Sequence, residues 1–405
     1  MKILVVNAGS SSLKYQLYDM TDESVLAKGR VERIGMDTAI LVHEPTDKPE
    51  LKEVSEILDH NVAIKKVVDA LLHSEHGVIA AINEIEAVGH RIVQGGDLYS
   101  ESVLVDAEVK NGIKSLFDLA PLHNPAHMMG INACEINMPG VPQVVVFDTA
   151  FHATMPEKVF MYPLPLRLYK KHKVRRYGFH GTSHYYVSQV AASMLDKPVE
   201  DTKIVTCHIG NGGSVTAVVG GKSYDTSMGM TPLEGLMMGT RCGDIDPAIV
   251  PFVMGKESLS LTEVNFMLNK HSGLQAISGG SSDMREIIEG MNNGDKSSKL
   301  AYEMYEYRIR KQMGAYIAGM NGVDAIVFTA GVGENSAPLR LDVLSQMTWL
   351  GVEVDPELNK IRSGEPRLIS KPESRVKVMV IPTNEELVIA RDTHVIVKNS
   401  LVNHK

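Results

Sequence analysis

The chain has 405 residues, 44% of them apolar and 22% charged, which suits two or three packed domains and is too apolar for a disordered protein. Its formal net charge of −8 argues against nucleic acid and anionic membrane as partners, because neither is held without a basic surface. No apolar run has the length of a membrane span, and the three cysteines, Cys134, Cys207 and Cys242, are odd in number and lack metal-site spacing, as expected of reduced, buried thiols in a cytoplasmic protein.

The first element is a strand that enters a small-residue turn and returns, over 3–17: Ile-Leu-Val-Val-Asn7-Ala-Gly9-Ser10-Ser11-Ser12-Leu-Lys14. It is soon followed by polar residues, so it reads as a strand and not as a secretory signal. Apolar spacing predicts a helix over 61–74, and β-branched runs predict strands over 85–89 and 144–147. A domain boundary is expected just after Asp148, where a loop with Pro156, Pro163 and Pro165 begins. The basic cluster Lys170-Lys171-His172-Lys173 with Arg175-Arg176 reads as a solvated helix end.

At 204–219 the opening pattern returns as Ile-Val-Thr-Cys-His208-Ile209-Gly210-Asn211-Gly212-Gly213-Ser214-Val. Asn7 superposes on His208 with an offset of 208 − 7 = 201 residues, about half of the chain, which predicts a duplicated fold. Either copy alone could be an ordinary Gly-rich hairpin. Together they suggest two oxyanion-binding turns, since Gly and Ser let backbone N–H groups and hydroxyls approach a phosphate closely. Residues 221–226 could pair strands or simply turn. A helix over 302–320 carries a Tyr and Met stripe that reads as core packing. The strand Ala325–Thr329 is predicted to break at Gly331 and Gly333 and enter a helix whose N-terminus favours a nucleotide.

Polar groups gather where strands end, as ligand sites do in α/β folds: Gly89-His90-Arg91, Leu122-His123-Asn124-Pro125, Phe147-Asp148-Thr149, Gly178-Phe179-His180-Gly181-Thr182-Ser183-His184 and Gly239-Thr240-Arg241-Cys242-Gly243-Asp244. From the residues alone, the reading is a duplicated α/β phosphate-binding protein.

From Asn7 to Glu386 the sequence closely resembles the acetate kinases, in the acetate and sugar kinase, Hsc70 and actin superfamily; Asp225-Thr-Ser-Met-Gly-Met-Thr-Pro-Leu-Glu-Gly235 and Gly239-Thr-Arg-Cys-Gly-Asp-Ile-Asp-Pro247 are especially specific. The resemblance implies two duplicated actin-like (ribonuclease H-like) α/β domains with a catalytic cleft between them, expected at 1–150 and 151–385, with 386–405 packing back on the first. It further implies a homodimer that exchanges a phosphoryl group between ATP and acetate, giving ADP and acetyl phosphate, with magnesium or manganese. Catalytic roles are implied for Arg91, His123, Asp148, His180 and Arg241, and an acetate methyl pocket for Val93, Leu122, Phe179 and Pro232. Lys14, His208, Ile209, Gly210, Asn211 and Gly212 would hold the phosphates. Asp283, Met284 and Arg285, with Gly331, Val332, Gly333, Glu334 and Asn335, would line the adenosine pocket; without the resemblance Asp283 and Arg285 read as solvated surface. Asn7 and Glu385 would hold the metal, with Glu386 the adjacent alternative.

A carboxylate nucleophile is already ionised at pH 7, so charge neutralisation is the catalytic task, and Asp148 is better suited to orienting Arg91 or a metal-bound water than to moving a proton. Valine at position 93 favours acetate over a longer acid. Alternatives are a propionate or butyrate kinase, separable by a substrate series, and an actin-like ATPase, which would have no need of Arg91 and Arg241.

Overall fold

The computed structural model describes residues 1–403, in two compact units: Met1–Ala150 with the chain from Asn384 onward, and Phe151–Thr383. The first unit is built on strands β1 (Lys2–Ala8), β2 (Ser12–Asp19), β3 (Ser24–Glu32), β4 (Met36–Pro45), β5 (Leu51–Ile57), β6 (Ile85–Ile92), β7 (Val103–Leu104) and β8 (Gln143–Phe147), in the order β5-β4-β3-β2-β1-β6-β8-β7. The second contains β9 (Lys203–Ile209), β10 (Gly213–Val219), β11 (Lys222–Thr226), β12 (Ala325–Thr329), β13 (Arg367–Leu368) and β14 (Lys377–Val380), in the order β11-β10-β9-β12-β14-β13.

The duplication is therefore one of topology. Reading from β3 or from β11, each sheet has two antiparallel neighbours in succession, then two parallel ones, then an antiparallel edge. The central strands are nearly continuous apolar runs because the parallel part of such a sheet is covered on both faces; Gln143–Phe147 and Ala325–Thr329 are buried throughout. The two hairpins differ at their tips. Ala8 pairs with Leu13 across a four-residue turn, whereas Ile209 pairs with Gly213 across three residues.

Helices cover the faces. In the first unit, the helix His60–Leu71 is capped by Asp59, and it stops three residues short of the sequence expectation because Val78 and Ile79 donate to the Leu71 carbonyl. The helix from Glu385 packs close over β6: a Cβ on Gly89 would stand 2.5 Å from Thr393 Oγ1, so only glycine fits there. In the second unit, Lys296–Met320 lays Tyr302, Tyr305, Ile309, Met313, Tyr316, Ile317 and Met320 into the core; it begins earlier than the apolar stripe does, since Asp295 caps it by accepting from Ser298 N–H. Among the described residues no helix is long and apolar enough to cross a membrane.

Three expectations require correction. Cys134 and Cys207 are buried, but Cys242 is only half-buried. Lys170–Lys173 do end an exposed helix, yet Arg175 is buried over the Phe160 ring and Arg176 is tied into the protein, so that pair is no solvated surface. Gly331 and Gly333 do not break the chain before a helix; they lie inside the short helix Ala330–Asn335, which starts directly at the end of β12. Of residues 221–226, Lys222–Thr226 form the edge strand β11 and Gly221 lies in the turn before it.

Candidate active site

In the first unit the site grows from the ends of β6 and β8. Arg91 is the penultimate residue of β6 and faces Val146 in the ladder; Asp148 follows β8, and its N–H donates to the Ile92 carbonyl. This register places a guanidinium beside a carboxylate. Arg91 Nε donates to Asp148 Oδ1 at 2.9 Å and Nη2 to Oδ2 at 2.6 Å, a bidentate pair with Asp148 1% exposed. Burial would lower the Arg91 pKa, but Asp148, Glu385 and Glu386 outweigh it and hold the group above its ordinary range. Glu385, the first residue of the C-terminal helix, lies 4.0 Å from Arg91 Nε. Burial pushes its carboxyl up to about 7; Arg91 pulls it down, and Asp148 and Glu386 raise it again.

Asn7 and Lys14 face each other across the β1–β2 ladder. Both line a cavity of about 280 Å³ with Arg91, Glu385 and Glu386. The donor set fits a magnesium-type ion, since Asn7 and Glu385 offer hard oxygens on one cavity. Val93 is buried beyond β6, while Leu122 is 70% exposed, so only one of these two residues is buried. His123 sits half-buried at the N-cap of the helix Asn124–Asn137.

In the second unit, His208 lies near the end of β9 and opposes Ser214 on β10. His180 immediately precedes the helix Gly181–Met194 in a left-handed conformation (φ 56°), which costs a non-glycine residue about 1 kcal/mol. Its ring stacks on that of His208, with centroids 4.1 Å apart. Arg241 packs against the three-residue turn: a Cβ on Gly212 would meet its Nη1 at 3.2 Å. Its guanidinium donates to the Pro232 carbonyl at 3.1 Å, no carboxylate pairs with it among the described residues, and burial pulls its pKa down. Phe179 is buried and Pro232 half-buried.

The two specific motifs explain how Arg241 is presented. Gly239 N–H donates to the Asn211 carbonyl, and Asp244 accepts from Gly235 N–H at 2.8 Å, which ties the 239–244 loop to both the phosphate-type turn and the 225–235 segment. That segment wraps Arg176, which donates to the carbonyls of Thr226, Ser227 and Met228 and to Glu234. Arg176 and Glu234 were not among the sequence-predicted residues; a Gly-rich loop whose carbonyls lack ladder partners needs a multi-donor side chain, and that was the available signal. A further omission is Arg340, 1% exposed, whose Nη1 donates to the carbonyls of Gly333 and Glu334 and so fixes the Ala330–Asn335 helix. Asp283 caps the helix Met284–Asn292 and holds Arg285 at 2.6 Å; Arg285 is 91% exposed.

Two like α/β units, each with a glycine- or serine-rich turn at the tip of its central hairpin, define a duplicated kinase-type fold. The chain belongs to the acetokinase family, whose model matches residues 2–391. It is 57% identical over 399 residues to the acetate kinase of Symbiobacterium thermophilum, covering 98% of this chain and 100% of that protein. Among solved structures, acetate kinase from Porphyromonas gingivalis is similar with a TM-score of 0.94 and 46% identity, covering 98% of this chain and 99% of that one. A propionate kinase from Francisella tularensis superposes with a TM-score of 0.90 and 42% identity, covering 97% and 99%.

Proposed function

We propose that this chain is a cytoplasmic, homodimeric acetate kinase that transfers the γ-phosphoryl group of ATP reversibly to acetate, directly and in line, with magnesium, or manganese in its place. The observation that carries this reading is the full-length similarity to acetate kinases at 57% identity. The formal charge of −8 supports small-molecule substrates in preference to nucleic acid or membrane.

Acetate arrives ionised, so no base is required. Arg91 gives Nε and Nη2 to Asp148, which leaves Nη1 for the substrate carboxylate and makes Asp148 the residue that aims the fork. The Arg241 guanidinium, lacking a carboxylate, neutralises the equatorial oxygens of the phosphoryl group in flight, with His180 donating to it and His123 helping to position it. Lys14 and the residues His208–Gly212 hold the phosphates, and 283–285 with 331–335 line the adenosine pocket. A divalent cation held by Asn7 and Glu385 would supply charge neutralisation at the phosphate oxygens. Val93, Leu122, Phe179 and Pro232 are the apolar residues assigned to the acetate methyl group.

The second reading is a propionate kinase, favoured by the likeness to one at TM-score 0.90. Acyl phosphate formation trapped as hydroxamate, with acetate, propionate and butyrate compared by kcat/KM, separates the readings; acetate is expected to lead. Val93→Ala should narrow that lead by about tenfold, the worth of roughly one methylene in an apolar pocket. ATP hydrolysis without trapped acyl phosphate would overturn the assignment.

A further inference from the structure

Behind the stacked His180 and His208 rings lies a buried set of hydroxyls and a third imidazole. Thr206 and His208 share one face of β9, Ser214 opposes His208 on β10, and the first turn of the helix Gly181–Met194 lays Ser183 and His184 over them. His180 Nδ1 lies 2.8 Å from Ser214 Oγ; the same oxygen lies 2.7 Å from His184 Nε2, and His184 Nδ1 lies 2.7 Å from Thr206 Oγ1. On the other ring, His208 Nδ1 lies 2.8 Å from Ser183 Oγ, which accepts from Thr383 Oγ1 at 2.8 Å. Thr206, Ser183, His184 and Ser214 are each fully buried.

A hydroxyl has one proton, and counting protons assigns the rings. Ser183 accepts from Thr383, so its own proton goes to His208 Nδ1, and His208 carries hydrogen on Nε2. His184 is neutral, because burial holds its pKa far below the ordinary histidine range. It therefore accepts at one nitrogen and donates at the other. The Thr206 hydroxyl lies 2.7 Å from His184 Nδ1 but 3.5 Å from the Thr216 carbonyl, so its proton belongs on His184 Nδ1. His184 then donates from Nε2 to Ser214, whose proton goes to His180 Nδ1.

We propose that the chains Thr206–His184–Ser214 and Thr383–Ser183 hold His180 and His208 as a stacked pair of neutral rings, each carrying its proton on Nε2, which gives the site two N–H donors for phosphoryl oxygens. Two imidazolium rings face to face at 4.1 Å would repel, and the hydroxyl chains supply the donors without that charge. Ser214, His184, Thr206 and Ser183 are thus positioning residues that act through the two rings. The ligand assignment rests on the phosphotransfer reading above; the proton assignment stands apart from it.

The test is a long-range ¹H–¹⁵N correlation spectrum of the full chain labelled with ¹⁵N-histidine at pH 7, with His180→Ala and His208→Ala spectra assigning the two rings. The expected result is unprotonated Nδ1 and protonated Nε2 for both. Protonation of His180 at Nδ1, alone or as imidazolium, would overturn the proposal, whatever the substrate proves to be. Ser214→Ala should lower kcat between about 10- and 100-fold, the range for losing an outer-shell partner, with KM for ATP and acetate nearly unchanged and the His180 signals moved toward a tautomer mixture. A folded Ser214→Ala protein with unchanged His180 signals would also overturn it; if that variant does not fold, the parent spectrum decides alone.

Discussion

Each unit places one arginine at its site, and the two are handled in opposite ways. Arg91 is locked to Asp148 by two hydrogen bonds and held above its ordinary pKa, whereas Arg241 rests on a backbone carbonyl with burial pulling its pKa down. A neutralised arginine is a fixed fork: its direction is set before substrate arrives, and it adds little new charge. An uncompensated one stores unsatisfied charge in a low-dielectric setting, which is relieved only when an anion forms beside it. The first suits ground-state binding, the second a transition state.

The largest effect expected from this contrast is in turnover. Arg241→Ala should lower kcat by roughly 10²- to 10³-fold with only a small change in the KM for acetate, and thermal unfolding should show no loss of stability, since the residue removed is a buried charge without a counter-ion. A large rise in KM at unchanged kcat would reverse the two roles. Next, Asp148→Ala should destabilise the protein by about 3 kcal/mol in urea unfolding, because it leaves Arg91 without its buried partner, while Asp148→Asn should lose less by keeping part of the hydrogen bonding. Equal stability of all three proteins would remove the lock.

The smallest effect concerns an acid that the second unit leaves undercompensated. Burial raises Asp225 to about 6, against the partial pull of Arg176. The folded pKa exceeds the unfolded one, near 3.8, so the contribution of this group is fully present below about pH 4 and fades as pH rises through 6. Asp225→Asn should therefore gain on the parent protein as pH goes from 4 to 7, by about 1 kcal/mol at the upper end after allowance for partial solvation, in denaturant midpoints taken across that range. A constant offset would contradict it.

Much of the fold was legible because its signals are local. The small-residue tips around Asn7 and His208 identify the hairpins, and the apolar runs 144–147 and 325–328 identify strands that prove buried throughout. Long-range partnerships carry no such mark. Arg176 stands next to a lysine-rich stretch and reads as surface until its three carbonyl partners, 50 to 52 residues away, are seen. Arg340 is equally silent, since its partners are carbonyls that any sequence possesses. The chemical residue types were readable, and their pairing was not: Arg91 and Asp148 meet only because β6 and β8 lie side by side in one register.

The one-residue difference between the hairpin tips has a consequence for how duplicated halves diverge. In the second tip, Gly239 lies so near Asn211 that an added Cβ would fall 2.1 Å from its Oδ1, and Gly212 touches Arg241. Grafting the Gly9–Ser12 tip in place of residues 210–212 would drive an extra residue into that space. The halves have therefore ceased to be exchangeable parts, and a single insertion or deletion at a turn is enough to make a duplication irreversible.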